Sequence, residues 1–297
     1  MRIVISGTSG LIGSALVPSL TAQGHQVVRL VRRPAKADDE VTWDPSAGTV
    51  DVDRLGQVDA AINLSGAGVG DHRWTTAYKQ VLRDSRVLTT TTLATALAAM
   101  PNRPTVLVNA SAIGFYGDTG ETAVDETAPR GQGFLAELCE EWEAATRPAE
   151  AAGIRVVHPR TGLVVAAEGG AWKRLTPLFR AGVGGRIGNG RQFWSTISLT
   201  DEIAALTYCV TNEALSGPVN LTCPTPVRNA EVTAAMGEVL GRPTMLPVPA
   251  FALRAALGEF SSDITGSARV LPTRLLDAGF TFTHPDFRSA FAAVAGR

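Results

Sequence analysis

The sequence predicts an α/β fold, a parallel sheet covered by helices on both faces and followed by a smaller lobe. Three observations carry that prediction. Apolar, strand-like runs alternate with helical stretches through residues 2–159. A glycine-rich turn joins the first run to the first helix. After Gly162 the texture changes, and glycines cluster at Gly182, Gly184, Gly185, Gly188 and Gly190. With 297 residues, 45% of them hydrophobic, the chain can bury one large core and a second, smaller one.

Residues 2–6 (RIVIS) are a β-branched run closed by Gly7, as expected of a buried parallel strand. Residues 11–23 are apolar at helical spacing, and Gly24 supplies the stop. Pro18 falls inside that stretch, so a kink there or an override by packing is expected. Residues 25–31 (HQVVRLV) make the next strand and complete a strand–turn–helix–strand unit. The alternation continues with a strand at 58–64, a helix at 75–100 stopped by Pro101, a strand at 105–110, a helix at 133–152 ended by Gly153, and a strand at 154–159. Runs that are apolar throughout belong to a sheet buried on both faces. Beyond Gly162, residues 193–199 are a strand candidate, and Thr200 has the character of an N-cap, with Asp201 and Glu202 in the first turn. Residues 218–221 make a short strand, Asn229 caps a helix that Gly241 ends, and the tail from Leu246 is helical with proline breaks.

Charge and cysteine usage exclude several classes. Lys and Arg total 27 against 28 Asp and Glu, a net charge of −1, which argues against a nucleic-acid binder or a polybasic membrane protein. No apolar run reaches the roughly 18 residues a membrane helix needs, and MRIVISGTSGLIG lacks the layout of a secretory signal. Cys139, Cys209 and Cys223 are too few and too scattered for a disulfide framework or a zinc site and suit a reducing cytosol, so a cytoplasmic protein is expected. His25, His72, His158 and His284 are dispersed, and no metal constellation is expected. There is no Gly-x-Ser-x-Gly elbow and no phosphate-loop lysine after the glycine turn.

The chemistry sits first in the turn Gly7-Thr8-Ser9-Gly10-Leu11-Ile12-Gly13, between a strand and a helix. In that context the spacing reads as a dinucleotide site. Gly7 permits the tight turn, Gly10 lets a pyrophosphate approach the backbone, and Gly13 lets the helix pack on the strand. The helix N-terminus adds free N–H groups and partial positive charge. This makes the fold Rossmann-type and doubly wound, with a nucleotide-binding domain at 1–162, to which 191–222 returns, and a smaller, mostly helical substrate lobe at 163–297. The second strand ends Leu30-Val31-Arg32-Arg33-Pro34, with no acid before Asp38 to accept a ribose hydroxyl. A guanidinium there suits a 2′-phosphate, so NADP(H) is the expected cofactor, with Arg32 the first choice as its partner and Arg33 the second. The backbone of Asn63-Leu64-Ser65-Gly66 should line the same cofactor. Arg86, on the following helix, either reaches it or pairs with Asp84 or solvent.

Further motifs carry a resemblance. GTSGLIG, NLSG, Trp74 to Arg86, SAIGFYG, the Trp142-Glu143 pair and the strand end Arg160-Thr-Gly-Leu163 together resemble the short-chain dehydrogenase/reductase superfamily, in particular its atypical epimerase family branch. The resemblance runs over essentially the whole chain. It implies NADP(H) contacts from Gly7, Thr8, Ser9, Gly10, Leu11, Ile12, Arg32, Leu64, Ser65, Arg86 and Leu163, with Ser111 and Arg160 beside them. Related folds pair through helices near residues 75–100 and 133–152, which makes a homodimer one open arrangement.

The superfamily's catalytic Tyr-x-x-x-Lys pair is absent. The matching helix places Phe134/Leu138 or Leu135/Cys139 there, depending on register, and neither pair moves a proton as tyrosine and lysine do. Ser111 is the counterpart of the catalytic serine if one residue is inserted; otherwise Ala112 fills that place. Tyr116 is either a substitute acid or a packed aromatic, and Asp118 and Glu137 are weaker carboxylate candidates. Relatives resemble Trp-Ile-His where this chain has Thr196-Ile197-Ser198. Two functional readings follow: an NADP(H)-dependent oxidoreductase acting on an undefined small molecule with a non-standard proton donor, or a non-catalytic NADP(H)-binding redox sensor.

Overall fold

A computed structural model describes residues 1–296. Its centre is a sheet in which seven parallel strands lie in the order Gly217–Leu221, Arg155–Thr161, Val106–Asn109, Ala60–Asn63, Arg2–Ser6, Gln26–Val31 and Glu40–Asp44. Thr49–Val50 adds an antiparallel edge, and Ser111–Ala112 pairs beside the end of Arg155–Thr161, with Ser111 opposite Arg160. Every residue of Ala60–Asn63 and Val106–Asn109 is buried, which explains why these runs are apolar without alternation.

Two cores lie on opposite faces of this sheet. Ile3, Ile5, Ile62 and Val108 point to one and meet Leu16 and Leu20 of the helix Leu11–Ala22 and Leu206 of the helix Leu199–Thr211. Val4, Val28, Ala61 and Leu107 point to the other and meet Leu93 and Leu97 of the helix Thr76–Ala99. The period-two alternation along each strand sorts the side chains into these faces, and the arrangement is the doubly wound architecture expected. Strand order reverses between Arg2–Ser6 and Ala60–Asn63, which opens a crevice at their C-terminal ends. A third core forms around Trp172, Phe179, Trp194, Met236, Phe287 and Phe291.

Several elements differ from expectation. The strand Glu40–Asp44 was not anticipated, because Glu40 is a charged residue at a buried edge. The helix expected over 133–152 is two helices, Phe134–Ala144 and Arg147–Ala151: Thr146 turns its hydroxyl back on the Glu143 carbonyl, and Pro148 starts the second. Strand 154–159 extends to Thr161. The stretch 193–199 splits into Phe193–Trp194 and Thr196–Ser198, with the Ser195 hydroxyl bonded to the Ala268 carbonyl between them. Ser198, not Thr200, caps the following helix by accepting from the Asp201 N–H. Asn229 lies inside its helix, and its side chain accepts from the Ile187 N–H instead of capping. The helix Leu11–Ala22 runs unbroken through Pro18, held by the fully buried Leu16 and Leu20.

Candidate functional site

The glycine turn opens into the crevice. Gly7 has φ +73°, and a Cβ there would lie 2.5 Å from the Leu64 carbonyl oxygen. A Cβ at Gly13 would lie 2.3 Å from the Gly7 oxygen, so the helix rides directly on the turn. Gly10 differs, since its Cβ would meet only the Gly7 oxygen, at 3.4 Å. Ser9 and Gly10 are exposed, Gly10 caps the helix without a side-chain bond, and no acid occupies the first turn. The N–H groups of the first turn therefore face an open space with nothing on the protein to neutralise their partial charge. Leu11 closes one side, against Gly169.

Below the turn lies a buried polar floor. Ser65 Oγ donates to Ser6 Oγ, and Ser6 donates to Asn63 Oδ1. Asn63 in turn donates to Thr90 and to Asn109, at 2.9 and 2.7 Å. Trp142 Nε1 completes the chain by donating to Thr90. These bonds tie the ends of three adjacent strands to two helices and fix the Leu64-Ser65-Gly66 turn.

The arginines divide into two kinds. Arg33 is committed to Glu40 through two bonds at 2.7 and 2.8 Å. Glu40 also accepts from the Lys36 N–H and lies 3.3 Å from Arg29. The bond from Arg33, and then that from Lys36, hold the Glu40 carboxyl down to about 2. Arg32 is exposed and makes no hydrogen bond or ion pair among the described residues. Arg86 lies inside the site. Its guanidinium packs on the Trp142 ring at 5.0 Å and donates to the Leu82 carbonyl, and a Cβ on Gly66 would lie 3.1 Å from its Cζ. Asp84 is taken by Gln80, and Arg86 has no carboxylate in ion-pair range among the described residues. Burial lowers its pKa, the mark of a cation short of compensating charge.

At the next strand end a second network forms. Ser111 donates to Glu143 Oε1 at 2.6 Å. Arg160 grips the same carboxylate with two nitrogens, at 2.8 and 2.9 Å, stacks on Phe115 at 3.4 Å and donates to the Tyr116 hydroxyl at 3.0 Å. Tyr116 in turn donates a hydrogen bond from its hydroxyl to Asn220 Oδ1 at 2.7 Å. Arg160 and Tyr116 are both 4% exposed, and burial raises the Tyr116 pKa against the opposing pull of Arg160. Both roles of the Tyr116 hydroxyl are thus filled inside the protein, whereas Ser111, also 4% exposed, turns its hydroxyl hydrogen to Glu143 and lies beside the Cys139 thiol.

The helix Phe134–Ala144 has a definite register. Leu135 and Cys139 face Gly114, the Cys139 thiol sits against the Ala112 carbonyl, and Glu143 follows one turn on against Ser111. Phe134 and Leu138 instead pack with Trp74 and Leu82. Of the two alternatives, Leu135/Cys139 is therefore the pair on the face toward Ser111. Burial pushes the Cys139 thiol up to about 11, which keeps it protonated. Asp118 is used up on the N–H groups of Gly120 and Ser267, and Glu137 is exposed. Trp194 is buried and donates to the Ile264 carbonyl. The tail brings His284 Nδ1 to 3.1 Å from Ser198 Oγ, where the serine is already bonded to Asp201. Leu163 begins a short strand paired with Thr196–Ser198. Sequence reasoning missed Thr90, Asn109 and Asn220, and gave Glu143 no role. No group of three or more His, Cys, Asp or Glu able to hold a metal occurs among the described residues.

A glycine turn at a switch point, open helix N–H groups and an uncompensated arginine define a nucleotide-binding α/β protein of the Rossmann class. The chain belongs to the NAD dependent epimerase/dehydratase family, whose model matches residues 3–214; a domain of unknown function matches 248–294. An epimerase family protein of Mycobacterium leprae is 47% identical over 296 residues, covering 99% of this chain and 96% of that one. A chloroplastic homologue from Arabidopsis thaliana is 35% identical, covering 99% and 86%. The crystal structure of the human epimerase family protein SDR39U1 with NADPH aligns with a TM-score of 0.92 at 31% identity, covering all of both chains. No helix among the described residues is long and apolar enough to cross a membrane.

Proposed function

We propose that this chain is an NADP(H)-binding oxidoreductase acting on a small molecule held between the nucleotide domain, 1–162 with 191–222, and the lobe at 163–297. The single observation that carries the reading is Arg86, a buried guanidinium without a carboxylate, set beside Gly66 at the mouth of the glycine turn. The residues fit the cofactor: the open N–H groups after Gly10 suit the pyrophosphate, exposed Arg32 suits the 2′-phosphate, and Leu64, Ser65 and Leu163 line the remainder. The NADPH bound by the human relative supports the choice of cofactor. Three free, buried cysteines suit a reducing compartment, and we assign the chain to the cytoplasm.

When bound, NADP(H) supplies a hydride donor or acceptor. The chain's own part is to manage the accompanying proton. Ser111 directs its hydrogen into Glu143, so its oxygen accepts from a substrate hydroxyl. As that proton moves onto Ser111 Oγ, the serine's own proton moves to Glu143 Oε1, with Arg160 fixing the carboxylate. The reverse sequence protonates a carbonyl oxygen. Tyr116 positions Arg160 and does not touch substrate. The second reading, a non-catalytic redox sensor, is favoured by Leu135 and Cys139 where tyrosine and lysine are usual.

The test has two arms. NADPH and NADH are titrated against the wild type, and NADPH consumption is followed over a panel of carbonyl compounds with wild type and Ser111→Ala. Tighter NADPH binding, with turnover that Ser111→Ala abolishes while leaving the affinity intact, is expected. NADH binding as tight as NADPH overturns the cofactor assignment. NADPH binding without turnover on any carbonyl favours the sensor.

A further inference from the structure

Five apolar side chains stand out from the rest of the surface. Met245 is 86% exposed, Phe251 78%, Leu246 58%, Val183 51% and Leu178 49%, and these are the five most exposed large hydrophobic residues among those described. Backbone contacts bring the segments of Met245, Leu246, Val183 and Leu178 together, and Phe251 follows three residues after Val248 in the helix Ala250–Leu257. Val183 N–H bonds the Leu178 carbonyl, Gly185 pairs with Met245, and Ile187 pairs with Val248. A cluster of this kind on an exposed face marks a contact surface.

Along the two chain segments that carry these residues the charge is one-sided, although Arg174 lies 3.9 Å from Asp71 and Arg191 3.8 Å from Glu121. Residues 169–200 and 239–258 together contain seven Lys and Arg and no Asp or Glu, in a chain whose totals are 27 and 28. Lys173, Arg186, Arg242 and Arg254 are exposed and have no carboxylate in ion-pair range among the described residues. The balanced net charge of the whole chain conceals this local excess.

We propose that this face docks on an anionic lipid bilayer. Aliphatic and aromatic side chains enter the headgroup boundary while the surrounding guanidinium and ammonium groups meet lipid phosphates, the arrangement of interfacial membrane binders that span nothing. Self-association is disfavoured because a two-fold interface would set the same basic set against itself. Nucleic acid has no use for Met245 and Phe251 so far exposed. The proposal is independent of the catalytic reading.

The experiment is co-sedimentation of the full chain with vesicles of phosphatidylcholine alone and of phosphatidylcholine mixed with phosphatidylglycerol, at low and high salt. Association with the anionic vesicles, weakened by salt and roughly tenfold or more weaker on pure phosphatidylcholine, is expected. Met245→Ser/Phe251→Ser and Arg186→Glu/Arg242→Glu each lower it by about tenfold or more, with unchanged melting temperature because all four side chains are exposed. No association with either vesicle, or association that both variants leave intact, overturns the proposal. So does a dimer in sedimentation velocity that Met245→Ser/Phe251→Ser dissociates, since the face then belongs to a second copy.

Discussion

Arg33 and Glu40 meet through two hydrogen bonds, at 2.7 and 2.8 Å, and that pair decides which arginine at the end of the second strand stays available. Two adjacent guanidiniums are equivalent in the sequence. In the fold one is held by a carboxylate that also takes the Lys36 N–H, and the other projects into solvent. Arg32→Ala is therefore expected to weaken NADPH binding by roughly ten- to a hundredfold, the range of a lost charged hydrogen bond, and to leave NADH unchanged. Arg33→Ala should leave both affinities close to wild type and lower the melting temperature. Fluorescence titration and thermal melts separate the two, and equal losses of NADPH affinity would contradict the division of labour.

The three glycines of the turn separate stability from binding. At Gly13 a methyl group would meet backbone atoms at 2.3 and 2.8 Å, so Gly13→Ala should destabilise by about 1–3 kcal/mol and weaken NADPH together. At Gly10 the added methyl meets only the Gly7 oxygen, at 3.4 Å, an ordinary contact. Gly10→Ala is thus expected to melt like wild type while losing at least about tenfold in NADPH affinity, because the bound pyrophosphate alone would meet the new methyl. Calorimetry beside titration checks both. A Gly10→Ala variant that binds normally would move the phosphates elsewhere.

The parts legible in the sequence are those whose physics is local. The glycine turn was readable because strand, turn and helix follow one another within a few residues, and each glycine answers a constraint from its immediate neighbours. Glu40–Asp44 was not readable as a strand, since what buries Glu40 is a pair of arginines brought from the preceding strand and turn. Ser198 as a cap was hidden by Thr200, equally suited by type and two residues away. The Ser111–Glu143–Arg160–Tyr116 network lay furthest from view. It depends on Ser111 standing opposite Arg160 in the sheet register and on which face of the helix Phe134–Ala144 turns inward, and neither is written in any one segment. Arg86 was visible as a residue, but its lack of a carboxylate partner belongs to the fold.

Within that network Glu143 and Ser111 should behave differently. Glu143→Gln leaves the 4%-exposed guanidinium without its counter-charge, and removing one member of a buried ion pair costs about 3–5 kcal/mol. Ser111→Ala removes a hydroxyl but leaves the Glu143–Arg160 pair whole. Urea denaturation is expected to show a large drop in midpoint for Glu143→Gln and a small one for Ser111→Ala, whereas turnover is lost in both, at unchanged NADPH affinity for Ser111→Ala. Comparable destabilisation by both would mean that Ser111 is a structural strut.

Glu202 gives the chain a pH dependence of definite sign. Its Oε1 accepts from Thr161 Oγ1 at 2.8 Å, while Oε2 is buried without a partner among the described residues. Burial pushes the carboxyl from its ordinary value of 4.5 up to about 8, so the folded protein keeps the acid form at neutral pH. In the unfolded chain the group ionises at its ordinary value. Between about 4.5 and about 8, unfolding therefore releases a proton, and stability falls as pH rises through that window and levels off above it. Glu202→Gln replaces the group with an amide that does not titrate. The variant should melt close to wild type, or slightly below it, near the acid end of the window and several degrees above it near the alkaline end. Melting curves for both proteins across the window measure the difference in slope directly. Parallel curves would mean that Glu202 ionises in the folded state as readily as in the unfolded one, and that its carboxylate reaches solvent or a cation.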